Sequence, residues 1–144
     1  MKKVHFNKLT QGKEMQKYEV KGNILGFDNT LNVEINKVDE LFSTMLDCDN
    51  KDISFTIVNP YILREYSFDL PSDVKVLLNI NEKSNVSVYN IVIIQNPLEN
   101  STINFIAPII VNNDNNKVAQ AVLNQKNHPN FGLAESIKSF RKEE

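Results

Sequence analysis

The chain has no Trp, one Cys, two His and four Gly among its 144 residues, and each scarcity removes a class of chemistry. A lone Cys48 forms no intramolecular disulfide and has no evident activating base or cation, so it reads as a small buried or half-buried residue. His5 and His128 leave too few soft ligands for a transition-metal site. The glycines build no phosphate-cradling loop, because Gly12-Lys13-Glu14 lacks the upstream glycine and neither Gly22 nor Gly26 opens an obvious helix. No nucleophile elbow is present, and the acids around Asp49 lack the remaining oxygen ligands and turn glycine of a calcium hand. No catalytic residue, metal or cofactor is therefore expected. Long apolar runs are missing too: Val86–Gln95 is broken by Ser87, Tyr89 and Asn90, far short of the roughly 20 apolar residues of a membrane helix. The basic start, Met1–Asn7, is followed by no apolar stretch of the secretory type. With 41% apolar and 24% charged residues, the chain reads as one cytoplasmic domain with one ordinary core.

Net charge is only -2, but it is unevenly placed. Residues 1–38 hold seven Lys against four acids, whereas residues 39–82 hold nine acids against Lys51, Arg64 and Lys75. An acidic middle repels phosphate backbones and attracts basic protein surfaces, and the aromatics are too sparse for a base-stacking groove. A nucleic-acid ligand is therefore disfavoured and a basic protein partner favoured, with a plain solubilising role open for each acid taken singly.

Strand patterns dominate. Thr30–Ile35 and Ile53–Ile57 alternate apolar and polar residues as half-buried strands do. Val74–Ile80, Val86–Gln95, Thr102–Val111 and Val118–Leu123 add β-branched segments, although Ser72–Leu78 has mixed helix and strand character. No helix separates the strands from Ile53 onward, so an antiparallel barrel or sandwich is expected rather than a parallel sheet. Asn is abundant, 21 residues, and supplies turns; Asn112–Asn116 reads as a hairpin. Asp39-Glu40-Leu41-Phe42 has the form of a short helix start capped by Asp39, and Gly26 supplies a permissive backbone at a turn. Pro108, inside the longest apolar segment, marks a bend or an edge, since proline cannot donate to a ladder. After Asn130, Leu133, Ile137 and Phe140 fall at helical spacing and predict a short C-terminal helix. The expected architecture is all-β and mainly antiparallel: a small β-barrel-like domain over residues 1–130 and a helical tail over 131–144. That tail either docks on its own barrel or engages a partner's groove.

Five segments in order, Gly22-Asn23-Ile24-Leu25-Gly26-Phe27, Ile53–Pro60, Tyr66-Ser67-Phe68-Asp69-Leu70-Pro71, Thr102–Ile109 and Gln120-Ala121-Val122-Leu123, resemble the flagellar assembly factor FliW family. The resemblance runs from about Gly22 to about His128. It implies a bacterial, cytoplasmic, non-enzymatic β-barrel-like protein that binds newly made flagellin and antagonises the translational repressor CsrA. Departures are His128-Pro129 where an aromatic is usual, the tail through Glu144, and Asn59 where Asp is common before Pro60.

On that reading Asp47, Asp49, Asp52, Glu65, Asp69 and Asp73 steer or pair with the basic repressor. Asn104, Pro108, Pro60 and Tyr61 mark a sheet edge or groove for flagellin. Leu133, Ile137 and Phe140 are a third candidate contact. Other readings of a small barrel are an oligonucleotide binder or a small-ligand binder, which need a basic groove or a convergent polar pocket that the sequence does not disclose.

Overall fold

The structure, a computed structural model, describes residues 16–140. The Met1–Asn7 stretch with His5, the Gly12-Lys13-Glu14 segment and tail residues 141–144 lie outside these. The strands are β1 (Gln16–Val20), β2 (Asn32–Lys37), β3 (Phe42–Asp47), β4 (Ser54–Val58), β5 (Val86–Ile93), β6 (Thr102–Ile103), β7 (Ile109–Asn112), β8 (Lys117–Gln120) and β9 (Glu135–Ser136). Two short helices, α1 (Pro60–Leu63) and α2 (Ser72–Leu78), lie between β4 and β5.

β1 to β4 form an antiparallel meander, β4 pairs with β5, β5 with β7 and β7 with β8. β8 returns to β1 in a parallel pair, Glu19 opposite Lys117 and Val20 opposite Val118, which closes a seven-stranded barrel. Closure removes the exposed edges that an open sheet would present.

Two cores lie on opposite faces of this wall. All seven barrel strands send residues to the inner one, including Tyr18, Val33, Met45, Ile57, Ile91, Ile109 and Val118, with Ile24 and Phe27 of the β1–β2 connection added. The outer core is built mainly on β4 to β8, from Val58, Val86, Val88, Val92, Ile110 and Ala119, with Phe42 of β3 at its margin, and is covered by Tyr66, Phe68, Val74, Leu78, Phe105 and Ile137. Strands buried on both faces read as continuous apolar runs, and strands buried on one face alternate. This explains why β7 opens with the unbroken run Ile109-Ile110-Val111 and β5 carries Val and Ile on both faces, while β2 alternates.

Several expectations change. Val74–Ile80 is not a strand: Ser72–Leu78 is helical, ends at Asn79 in the left-handed conformation (φ 55), and buries Val74 and Leu78 on the outer core. Helices therefore do intervene after Ile53. Asp39 does cap a turn, but of a hairpin: its carboxylate accepts from the amides of Leu41 and Phe42 at 2.9 and 2.7 Å, and Phe42 opens β3. The tail pattern also misleads. Glu135–Ser136 is extended and pairs with β6, and only Ile137–Phe140 forms a 3-10 turn, which leaves Leu133 64% exposed while Ile137 is buried. The Asn112–Asn116 hairpin is present, with Asn116 at φ 57.

Pro108 sits at a bend. The predicted strand Thr102–Val111 is two strands, β6 and β7, which pair with the end and the start of β5 respectively. Residues 104–108 leave the ladder between them, and Asn104 fastens this excursion by accepting from the amides of Ile106 and Ala107, both at 3.1 Å.

Gly26 has φ +89, and a Cβ there would lie 2.5 Å from the Phe55 ring. Gly26→Ala is expected to cost about 2 kcal/mol or more, from left-handed strain plus overlap. Urea denaturation measures it, and a loss under about 0.5 kcal/mol contradicts the fit.

Candidate partner-binding surface

The six candidate acids fall in two groups on different elements. Asp47 ends β3 and Asp49 and Asp52 follow in the β3–β4 turn, while Glu65, Asp69 and Asp73 belong to the segment that runs over the outer core. All but Asp47 are exposed. Asp47 is buried, and its carboxylate accepts from Thr30 Oγ1 and from the Asp49 amide, both at 2.8 Å, so its charge organises the turn. Asp69 lines an open cleft of about 440 Å³ with Pro71, Val122, Leu123, Asn124, Asn127 and His128.

The apolar candidates are mostly structural. Pro60 is buried as the first residue of α1, which Asn59 caps by accepting from the Tyr61 amide at 3.0 Å. A neutral amide serves here, so the carboxylate expected before Pro60 is not needed for the cap. Pro108 is buried at the bend, Asn104 and Phe140 are half-buried, and Leu133 is exposed.

What the fold assembles is an aromatic site that the sequence reading missed in part. The Tyr66 ring meets Tyr61, Phe68, Phe105 and Phe131 at centroid distances of 6.2, 5.3, 5.6 and 4.7 Å. Its hydroxyl donates to the Phe105 carbonyl and accepts from Asn90 Nδ2, which also donates to the Asn104 carbonyl at 2.9 Å. The Arg64 guanidinium lies 4.9, 5.0 and 5.5 Å from the ring centres of Phe105, Phe131 and Phe140, and pairs with Glu135 at 3.3 Å. Planar and weakly hydrated, guanidinium suits a site that both stacks and pairs. His128 stacks on Phe131 with ring centroids 5.4 Å apart. A polar residue inside the apolar run of β5 was the visible signal for Asn90. Nothing local marked Arg64, Phe131 and Glu135, because Arg64 and Glu135 meet across 71 positions of the chain.

Two oxygens adjoining Tyr66, Tyr61 Oη and Asn90 Oδ1, are buried without a partner among the described residues. Burial pushes the Tyr61 phenol up to about 12 and raises that of Tyr66 also. The thiol of Cys48 is likewise raised by burial, which opposes thiolate formation. Among the described residues no group of three or more His, Cys, Asp or Glu is placed to hold a metal ion, and no helix is long and apolar enough to cross a membrane.

The sequence profile of the FliW protein family matches residues 2–132. The chain belongs to the FliW family. It is 46% identical over 123 residues to flagellar assembly factor FliW 2 of Wolinella succinogenes, covering 85% of this chain and 90% of that one. It is 45% identical over 126 residues to flagellar assembly factor FliW of Sulfurimonas denitrificans, covering 88% and 98%. A crystal structure of the flagellar assembly factor FliW shares the fold, with a TM-score of 0.76 at 18% identity over 98% of this chain and 93% of the other. The FliW family fold thus accounts for the barrel, and the chain is a flagellar assembly factor of this family, whose relatives are named as assembly factors and not as enzymes.

Two predictions follow the buried polar groups. Hydrogen bonds from Thr30 and then the Asp49 amide hold the Asp47 carboxyl below its ordinary range, and bonds from Asn36 and then Lys51 do the same for Glu34. Stability from these groups is complete above their unfolded pKa values of about 4 and is lost as pH falls through the lower folded values. Asp47→Asn should therefore flatten the acid limb of the stability profile; an unchanged slope below about pH 4 contradicts the assignment. Tyr61→Phe removes an unpartnered buried hydroxyl and should leave thermal stability equal or higher by up to about 1–2 kcal/mol. A loss above about 1 kcal/mol would show that the hydroxyl is bonded.

Proposed function

We propose that this protein is a cytoplasmic partner-switching regulator that binds flagellin and antagonises the repressor CsrA, tying flagellin synthesis to export. Family membership over most of the chain supports this most strongly, because the relatives are named as flagellar assembly factors. While flagellin is abundant it occupies the protein; once flagellin is exported, the freed protein engages the repressor and translation resumes. Such a switch needs negatively coupled sites, and the coupling is reciprocal: each partner weakens the other's binding by the same factor.

The exposed acids fit the repressor side. Asp49, Asp52, Glu65, Asp69 and Asp73 are exposed at the surface, where charge sets encounter rate and specificity. The flagellin side fits the end of the sheet, where β6 meets β9 beside Asn104, with Tyr61 reached through the Tyr66 ring. No catalytic step is assigned.

Lysate capture with this protein as bait is expected to recover flagellin and the repressor in separate complexes. Recovery of neither, or a shift of an RNA probe by the purified protein alone, overturns the proposal. Asp69→Lys with Asp73→Lys should weaken repressor binding roughly tenfold at low salt and flatten its salt dependence. Unchanged affinity would assign these acids to solubility.

A further inference from the structure

We propose that residues 131–140 are a displaceable strap that occupies the strand-addition site for an extended partner segment, so that the chain inhibits its own site. This rests on the flagellin-binding reading above and adds its regulation.

The strap covers a receptor surface that has partners on one side only. β9 pairs with β6 through two residues, Thr102 opposite Ser136 and Ile103 opposite Glu135, and is the last strand of the sheet. The Phe105 amide donates to the Gly132 carbonyl at 2.9 Å, and the Ile137 amide to the Ser101 carbonyl at 2.8 Å. Side chains complete the hold: Phe131 and Phe140 on the Arg64 platform, Glu135 on the Arg64 guanidinium, and Ile137 in the outer core. Without β9, β6 would present an open edge, the template on which extended segments add.

The present occupant fits incompletely. Leu133 stays 64% exposed, and two buried oxygens beside Tyr66, Tyr61 Oη and Asn90 Oδ1, keep no partner among the described residues. A segment that bonded them would gain what the strap does not. The chemistry of the strap defines the ligand class: an extended peptide with an aromatic side chain for the Arg64 and Tyr66 rings and a carboxylate for Arg64. A strap in cis lowers the partner's apparent affinity by the fraction of chains in which it is open.

The register supplies a reversible lock. Since the Ile137 amide bonds the Ser101 carbonyl, the next pair, Thr102 and Ser136, is the non-hydrogen-bonded kind, whose side chains approach most closely. In a Cys48→Ser background, Thr102→Cys with Ser136→Cys should bind purified flagellin at least tenfold more weakly when oxidised than the same variant does when reduced. Ile137→Ala, which loosens the strap, should bind several-fold more tightly than the natural chain. Equal binding by the oxidised and reduced forms, or weaker binding by Ile137→Ala, overturns the strap and leaves the functional proposal standing.

Hydrogen exchange needs no partner. The Phe105 and Ile137 amides should exchange at least a hundredfold faster than those of Tyr89 and Ile110, which lie in the barrel ladder, and exchange at the barrel rate overturns the strap. If flagellin fails to bind the natural chain at all, the functional proposal falls and exchange alone decides whether the strap opens.

Discussion

Asn90 lies fully buried in β5, between the half that pairs with β7 and the half that pairs with β6. Its amide group donates to the Asn104 carbonyl and to the Tyr66 hydroxyl, which in turn donates to the Phe105 carbonyl. Backbone groups that leave a ladder inside a protein need new partners, because an unpaired buried group costs as much as a lost hydrogen bond. Asn104 and Phe105 leave the ladder here, and the side chains of Asn90 and Tyr66 accept the consequence. The excursion they fasten lets β6 and β7 share one side of β5, carries Pro108 out of the paired strands, and places Phe105 beneath Arg64.

The same constraint gives the molecule two unlike surfaces. The wall of β1, β2 and β3 is buried on its inner face, and the acidic β3–β4 turn stands at its margin. The wall of β5, β7 and β8 is buried on both faces, so its outer side is reached only through the covering segments that carry Arg64, Tyr66, Asp69 and the residues after Asn130. Charge is concentrated on turns and covering segments, and aromatic side chains on the outer layer. The two surfaces thus offer different chemistries, one suited to charge complementarity and one to apolar contact.

Much of the fold was legible where a single local rule decides it. Alternation marked β2 and β4, the Asn cluster marked the β7–β8 hairpin, and Pro108 marked a bend. Propensity failed where packing on the outer core decides: Val74 and Val76 are β-branched, yet Ser72–Leu78 is helical because Val74 and Leu78 then face the same apolar layer. β1 and β3 escaped notice because Glu19, Lys17, Ser43 and Thr44 dilute their apolar pattern, and the parallel β1–β8 pair depends on residues about 100 positions apart. The site was legible only in its acids and its Asn–Pro landmarks. Arg64, Tyr66, Phe131 and Glu135 form one cluster through long-range contacts that no spacing rule carries.

A double-mutant cycle on Tyr66→Phe and Asn90→Leu tests most directly whether the Asn90–Tyr66 connection holds the structure together. Denaturant unfolding of the four proteins gives the coupling energy. The account predicts strong non-additivity, about 1 kcal/mol or more, because the two side chains fasten the same excursion. Additive losses within about 0.3–0.5 kcal/mol would contradict it and place the break between β6 and β7 under separate control.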